Sequence, residues 1–119
     1  MAQKWADYLV VTGKFEHRKN GKFGENIWKM CRVPCLEDVP SLQGTRPVDD
    51  WYNEVQFYDY NNGQFSMKTG HFTQLVWVAS QKLGLGVARG NGNTIVVANY
   101  DPPGNYPGQF QKNVLQPKN

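Results

Sequence analysis

Four side chains of this 119-residue sequence are candidates for metal binding or acid–base chemistry: His17, Glu25, Glu54 and His71. The histidines are the only two in the chain, and both glutamates have aromatic or apolar neighbours in sequence. Imidazole nitrogens and carboxylates together bind divalent transition metals, and imidazole favours zinc or copper. The same groups also form an acid–base set around a bound water molecule. Sequence spacing does not decide between the two, because the four residues fall on different predicted elements.

The first histidine and the first glutamate are predicted to lie on a loop and on the strand that follows it. A helix ending near Gly13 is indicated by apolar residues at helical spacing, which are Ala2, Trp5, Ala6 and Leu9. Residues 14–24 are polar and rich in turn formers, so we expect a loop that carries His17. Residues 25–30 alternate polar and apolar side chains, which predicts a short strand beginning at Glu25.

The second glutamate is predicted to lie on a helix. An irregular connection is expected over residues 31–47, which contain three prolines and a glycine. Pro47 and the two acidic residues that follow it favour a helix start, and we expect the helix to span residues 48–58. Glu54 lies one position from its apolar face, which is formed by Trp51, Val55 and Tyr58.

The second histidine is predicted to open another helix. Residues 59–69 are expected to form a loop, with Thr69 as the N-cap of a helix that begins near His71. We expect this helix to end by Gly84. One of its faces would carry His71, Leu75 and Val78, with Gln74 beside them.

Two segments in the last third of the chain predict an antiparallel hairpin. Leu83, Leu85 and Val87 alternate with small residues, and residues 90–93 (GNGN) are a strong turn signal. Residues 95–98 are apolar on both faces, which is typical of a central strand covered on both sides. We therefore expect an α+β fold in which helices flank a small antiparallel sheet.

Composition and charge limit the classes of protein to be considered. Hydrophobic residues make up 39% of the chain and aromatic residues 13%, which favours one folded domain. No run of about 18 apolar residues is present, so we expect no membrane-spanning helix. The net charge is +3, but the basic residues are spread from Lys4 to Lys118 rather than gathered in a stripe, which disfavours nucleic-acid binding.

The first residues and the cysteines favour an intracellular protein. The opening segment has no basic region, long apolar stretch or small-residue cleavage site of a secretory signal. Cys31 and Cys35 would close only a very short loop, and two sulfurs do not form a zinc knuckle. We expect two free thiols in a reducing compartment.

Four sequence blocks resemble those of one protein family. Residues 70–77 (GHFTQLVW) and 99–110 (NYDPPGNYPGQF) are similar to the two signature motifs of the CAP superfamily, named for cysteine-rich secretory proteins, antigen 5 and pathogenesis-related 1 proteins. Residues 24–28 (GENIW) and 51–55 (WYNEV) resemble two further family blocks, in the same order. The resemblance extends through essentially the whole chain, as a single CAP domain over residues 1–119.

This resemblance implies a fold and a set of cleft residues. The fold is an α-β-α sandwich with a large cleft lined by two histidines and two glutamates. Carried over by motif, these are His71 of the signature, Glu25 of the GEN block and Glu54 of the WYNE block. His17 falls where the family has its first cleft histidine, although Arg18 follows it where serine is more usual. Such a cleft is able to hold zinc or another divalent metal.

The resemblance also implies a lipid partner and a location. Within the superfamily the sequence is similar to the Golgi-associated plant pathogenesis-related protein 1 group, which implies binding to anionic lipids or sterol on the cytoplasmic face of Golgi-type membranes. Residues 58–65 (YDYNNGQF) resemble the aromatic loop that other members use for sterol binding. The matching aromatic residues are Tyr58, Tyr60 and Phe65.

The family domain normally begins with one more helix than this chain shows. We therefore expect an N-terminally shortened sandwich that lacks the usual first helix. Its uncovered apolar surface would favour a homodimer. If the N-terminus is incomplete, an extracellular location is the alternative.

Three classes of function are consistent with these features. The first is a non-enzymatic lipid-binding module, and the second is a metal-dependent hydrolase or protease that uses the His/Glu cleft. The third is a protein-interaction scaffold. No serine or cysteine lies in a recognisable nucleophile motif, so we favour binding over catalysis.

Overall fold

A three-stranded antiparallel sheet forms the middle layer of the molecule. Its strands are β1 (Gly24–Cys31), β2 (Lys82–Gly90) and β3 (Asn93–Asp101), in the spatial order β1-β3-β2. The computed structural model describes residues 2–18, 22–31, 46–90 and 93–116. The predicted strand after Gly24 and the predicted hairpin are both confirmed, since β3 pairs with β1 on one side and with β2 on the other.

Helices lie before, between and after the strands. In the described residues the α-helices are α1 (Ala2–Thr12), α2 (Arg46–Tyr52), α3 (Gly70–Val76) and α4 (Phe110–Asn113). A 3₁₀ helix over Asn53–Phe57 directly follows α2.

Apolar side chains on both faces of the sheet bury it against helices. On one face α1 covers a cluster that includes Ala6, Leu9, Ile27, Ile95 and Val97. On the other face Trp51 of α2 completes a cluster with Trp28, Met30, Val96, Ala98 and Tyr100. The fold is therefore an α-β-α sandwich, and the prediction of a central strand covered on both sides is confirmed.

The end of α1 determines where the loop with the first histidine begins. Gly13 has a φ of +73°, and its N–H donates to the Leu9 carbonyl oxygen at 3.0 Å. Glycine reaches this left-handed conformation without a Cβ clash, which ends the helix as predicted. The indole Nε1 of Trp5 then donates to the Glu16 carbonyl oxygen at 3.1 Å, which holds the following segment against α1.

A third apolar cluster lies behind α3 and contains Phe72, Trp77, Phe110 and Val114. The rings of Trp77 and Phe110 meet edge to face, with centroids 5.0 Å apart. Phe110 opens α4, a four-residue helix for which no sequence pattern was identified. Burial of Phe110 in this cluster fixes the short helix in place.

Two predicted helices differ from those observed. The helix expected over residues 48–58 is α-helical only in its first part, begins two residues earlier and continues as the 3₁₀ helix. The helix expected from His71 towards Gly84 stops at Val76, because Trp77 takes an extended conformation and turns into the third cluster. Val78 is consequently outside α3 and is 56% exposed, so its predicted place beside His71 is wrong.

Parts of three other predictions lie outside the described residues. They are the irregular connection at positions 32–45, the cysteine pair because of Cys35, and the two central positions of the hairpin turn, 91 and 92.

α1 approaches the edge strand β2 so closely that position 86 requires glycine. A Cβ added to Gly86 would lie 2.4 Å from the backbone nitrogen of Gln3. The side-chain amide of Gln3 also donates to the Val87 carbonyl oxygen at 2.7 Å and accepts from the Val87 N–H at 3.0 Å. These bonds satisfy edge backbone groups that would otherwise be open to pairing.

This close approach predicts a difference between two glycines of the same strand. Gly86→Ala is expected to lower the free energy of unfolding by about 1–3 kcal/mol, because the added methyl group meets helix backbone that has little room to move. Gly84→Ala is the matched control, since a Cβ there meets nothing within 4 Å. Urea unfolding measures both, and equal midpoints for the two variants would contradict the packing of α1 on β2.

Candidate functional site

The carboxylate of Glu54 receives three hydrogen bonds from the start of α3. Its Oε1 accepts from the backbone N–H groups of His71 and Phe72, both at 3.0 Å. Its Oε2 lies 2.8 Å from Nδ1 of His71. An ionised carboxylate only accepts, so Nδ1 of His71 carries a proton in this contact, and in the neutral ring Nε2 then keeps a free lone pair. Glu54 therefore fixes both the position and the tautomer of His71.

The 3₁₀ helix brings Glu54 to this position. Residues i and i+3 lie on the same side of a 3₁₀ turn more closely than in an α-helix. Glu54, three residues after Trp51, therefore lies on the side that carries Trp51. The Trp51 ring lies parallel to the His71 ring, at an interplanar angle of 5° and a centroid distance of 6.1 Å. His71 is thus held by a hydrogen bond at Nδ1 and by an aromatic neighbour on the face of its ring.

Thr69 occupies the N-cap position of α3, as predicted, but the carboxylate of Glu54 supplies the capping hydrogen bonds. Thr69 has φ −127° and ψ 1°, and its side chain makes no capping hydrogen bond. The free N–H groups of the first turn of α3 are instead satisfied by a carboxylate from another helix. A cap supplied from 17 residues away is invisible to a local sequence pattern.

The second pair, His17 and Glu25, has the same arrangement. Nδ1 of His17 lies 2.8 Å from Oε1 of Glu25, and the same oxygen accepts from the Arg18 N–H at 3.0 Å. The hydrogen bond and the negative charge of Glu25 raise the pKa of His17 against the opposing effect of desolvation. The His17 side chain remains 61% exposed, whereas that of Glu25 is only 11% exposed. Glu25 thus anchors an imidazole that reaches into solvent.

The two pairs meet at a single cavity of about 130 Å³. Its polar wall includes His17, Glu25 and His71, and its apolar wall includes Phe65 and Met67. Glu54 contributes through its hold on His71. Three of the four predicted cleft residues therefore line one cavity. The fourth, Glu54, is hydrogen-bonded to His71.

Two asparagines of this cavity were not identified from the sequence. Asn26 donates through Nδ2 to the His71 carbonyl oxygen at 3.1 Å, which ties β1 to α3. Asn105 has a φ of 62°, a left-handed conformation that asparagine tolerates better than most residues. Its Oδ1 accepts from the Thr73 hydroxyl at 2.6 Å, and its Nδ2 donates to the Gly70 carbonyl oxygen at 3.0 Å. Its position in a loop rich in Pro and Gly was the only available signal.

The carboxylates are arranged as partners of the histidines rather than as a joined set of ligands. Among the described residues, no three His, Cys, Asp or Glu side chains form a group that could hold a metal ion. Each glutamate is already bonded to its own histidine and to at least one backbone N–H. What the site offers to a ligand is two oriented imidazoles.

The three aromatic residues of the predicted lipid-binding segment have different surroundings. Tyr58 packs against Tyr60 at a centroid distance of 5.0 Å and against Phe72 at 5.6 Å. Burial raises the pKa of both tyrosines. Phe65 is 53% exposed and lies over Gly70, where a Cβ would meet its ring at 2.9 Å. The tyrosines thus anchor the loop to the third cluster, and Phe65 faces the cavity.

No helix in the part of the chain that the structure describes is long and apolar enough to cross a bilayer.

The comparison with protein families agrees with these motifs and this fold. The model of the cysteine-rich secretory protein family, CAP, matches residues 1–100. The chain belongs to the CAP family. The matched residues include both histidines and both glutamates of the candidate site, whereas Asn105 of the cavity lies beyond the matched range.

Relatives of this CAP chain come from animals, plants and fungi. Human Golgi-associated plant pathogenesis-related protein 1 is 35% identical over 98% of the chain and 75% of its own length. Pathogenesis-related protein 1 of Arabidopsis thaliana is 37% identical over 91% of the chain and 62% of its own length. Protein PRY2 of Saccharomyces cerevisiae is 34% identical over 96% of the chain, which spans only 32% of that protein.

Solved structures share the CAP fold. Na-ASP-1 superimposes with a TM-score of 0.65 and 26% identity, over 90% of this chain and 29% of the other. NaASP2, solved with Zn2+, gives a TM-score of 0.65 at 24% identity, over 90% of this chain and 60% of the other. At 24% identity, the similarity to NaASP2 is evidence for a shared fold only.

The capping role of Glu54 predicts a graded loss of stability. Glu54→Ala is expected to lower the free energy of unfolding by about 1–3 kcal/mol, because buried backbone N–H groups lose their acceptor. Glu54→Gln keeps an acceptor oxygen for those groups, so its loss should be smaller. Urea unfolding of the three proteins checks this order, and an alanine variant as stable as the natural protein would contradict it.

The raised pKa of His17 predicts a pH-dependent effect of Glu25. The His17–Glu25 contact stabilises the folded state fully below the unfolded pKa of histidine, and this contribution is lost as the pH rises through the raised folded pKa. Glu25→Gln should therefore lower the His17 pKa, which an NMR titration of the imidazole protons measures. An unchanged midpoint would contradict the assigned cause. His71, which lies on the other pair, is the internal reference.

Proposed function

We propose that this CAP protein is a non-enzymatic module that binds anionic or sterol-containing membrane surfaces through residues 59–69, and that the neighbouring His–Glu cavity holds a divalent metal. The observation that carries the proposal is the position of Phe65 and Met67. These apolar side chains are 53% and 88% exposed at the wall of the cavity that both histidines line.

The membrane contact is assigned to one part of this loop. Tyr58 and Tyr60 are packed against the third cluster and hold the loop in place. Phe65 and Met67 have apolar surface available for the lipid interface, and the exposed Lys68 follows directly. Apolar side chains beside a basic one suit the boundary between acyl chains and anionic headgroups. The net charge of +3 favours the same surfaces.

The metal assignment is supported by the orientation of the imidazoles. A histidine that binds a metal through one ring nitrogen commonly donates the other N–H to a carboxylate, which fixes its tautomer. Both His17 and His71 have such a carboxylate at Nδ1, at 2.8 Å. The histidines would therefore bind the metal through Nε2, with Glu25 and Glu54 as their supports. Zinc is one candidate, since imidazole nitrogen is among its usual ligands.

A hydrolytic function is less well supported by the same contacts. A hydrolase of this kind needs a carboxylate or imidazole free to take a proton from water. In this site each carboxylate already accepts from its histidine and from the backbone, and Nε2 of each histidine would be occupied by the proposed metal. The proposal is therefore binding, and the human relative named for its Golgi association supports the surface of Golgi-type membranes as the proposed location.

The membrane proposal predicts a specific loss from one aromatic substitution. Phe65→Ala should lower the affinity for anionic vesicles by about tenfold, since burial of one aromatic ring contributes on the order of 1.5–3 kcal/mol. Phe57→Ala is the matched control, because Phe57 is 60% exposed and does not line the cavity. Vesicle flotation measures both affinities.

The same flotation assay separates the contribution of the lipid contact to membrane binding from that of the metal. Vesicles of neutral lipid, of neutral plus anionic lipid and of either with sterol are compared, with zinc present and after chelation. Binding that requires anionic lipid or sterol and survives both chelation and His71→Ala supports a membrane contact at the loop. Absence of binding to every vesicle, by protein shown to be folded by circular dichroism, would overturn the membrane proposal.

A further inference from the structure

We propose that the His–Glu cavity is a copper(I) site in which Met67 supplies a thioether ligand beside His17 and His71. This inference rests on the proposed metal-binding function of the same cavity, assigns copper(I) to it in place of a divalent ion such as zinc, and adds a third ligand. Met67 would then be the residue that gives the site its preference for copper over zinc.

Met67 is placed and exposed in a way that suits a ligand. Its side chain lines the same cavity as the two histidines, yet it is 88% exposed, so neighbouring side chains leave it largely free. Methionine is unbranched and has several rotatable bonds, so its sulfur can turn towards a bound ion at little cost in packing. By contrast, Met30 is only 6% exposed and belongs to the cluster under α2.

The donors available at the cavity do not complete a usual zinc site. Zinc is typically held by three or four nitrogen, thiolate or carboxylate ligands. In the described part of the chain, no three His, Cys, Asp or Glu side chains form such a group. Two imidazoles alone leave a zinc ion short of protein ligands, whereas copper(I) accepts two or three donors.

The third donor at the cavity distinguishes the two metals. A thioether is a soft ligand that selects copper(I), and it is not among the usual ligands of zinc. Imidazole binds both metals, and both histidines keep Nε2 free because Nδ1 is bonded to a carboxylate. Removing the sulfur should therefore weaken copper(I) binding and leave zinc binding unchanged.

The test compares the affinities of four proteins for the two metals by chelator competition, with copper(I) measured under anaerobic reducing conditions. All carry Cys31→Ser and Cys35→Ser, since thiolates also bind copper(I). The variants in this background are Met67→Leu, Phe65→Leu and His71→Ala. Met67→Leu removes the sulfur and keeps an apolar side chain of similar size. Phe65→Leu changes the same wall of the cavity without removing a ligand.

We expect Met67→Leu to weaken copper(I) binding by about tenfold or more and to leave zinc affinity within about twofold. Phe65→Leu should change neither affinity, and His71→Ala should weaken both metals. X-ray absorption of the copper(I) form should show a sulfur ligand that disappears in Met67→Leu.

Two results would overturn the inference, and they are distinguishable. Metal binding that depends on His71 but is unaffected by Met67→Leu, with no copper–sulfur signal, removes Met67 and the copper preference while the metal-binding cavity stands. Failure of the background protein to bind either metal, when it is folded by circular dichroism, overturns the metal-binding function and this inference with it.

Discussion

The carboxylate of Glu54 connects the parts of the site that would otherwise be independent. It joins the 3₁₀ helix to the first turn of α3 through two backbone N–H groups and holds the His71 ring through a third bond. Because this carboxylate is only 20% exposed, few other groups could replace it as acceptor. The position of α3, the orientation of His71 and the wall of the cavity all follow from the one contact.

The same contact limits what the site can do. Both oxygens of the Glu54 carboxylate are engaged in capping α3 and orienting His71, which disfavours Glu54 as a base or as a direct metal ligand. Glu25 repeats the arrangement with His17 and the Arg18 N–H. The cavity therefore presents imidazole nitrogens rather than a joined His/Glu set, and this geometry is the basis on which we propose binding rather than hydrolysis.

Local sequence patterns predicted the helices and strands well, but they predicted the contacts between distant segments poorly. The apolar stripe of α1, the break at Gly13 and the β2–β3 hairpin are determined by neighbours in sequence, and each is observed as predicted. The early end of α3 depends on Trp77 reaching Phe110, which lies far along the chain. Likewise, no local rule shows that Glu54, rather than the Thr69 side chain, supplies the capping hydrogen bonds.

The candidate residues were likewise found more easily than their roles. Motif resemblance identified both histidines and both glutamates, but the pairing of each glutamate with its own histidine appears only in three dimensions. The aromatic segment was identified as one unit, although Tyr58 packs against a buried ring and Phe65 lies at the cavity. Met67 lies outside the family blocks, and Asn105 lies in the block over residues 99–110 without a pattern that marks it as a cavity residue, because both roles depend on a wall built from distant segments.

The most direct test of this account is an NMR measurement of the two histidine tautomers from long-range nitrogen–proton couplings. It should be made at alkaline pH on the neutral rings, and a His71→Ala sample assigns the signals. The account predicts that both rings carry their proton on Nδ1 and have an unprotonated Nε2. A proton on Nε2 of His71 would contradict it, because Glu54 could not then accept from the ring and the cavity would lack its oriented ligand.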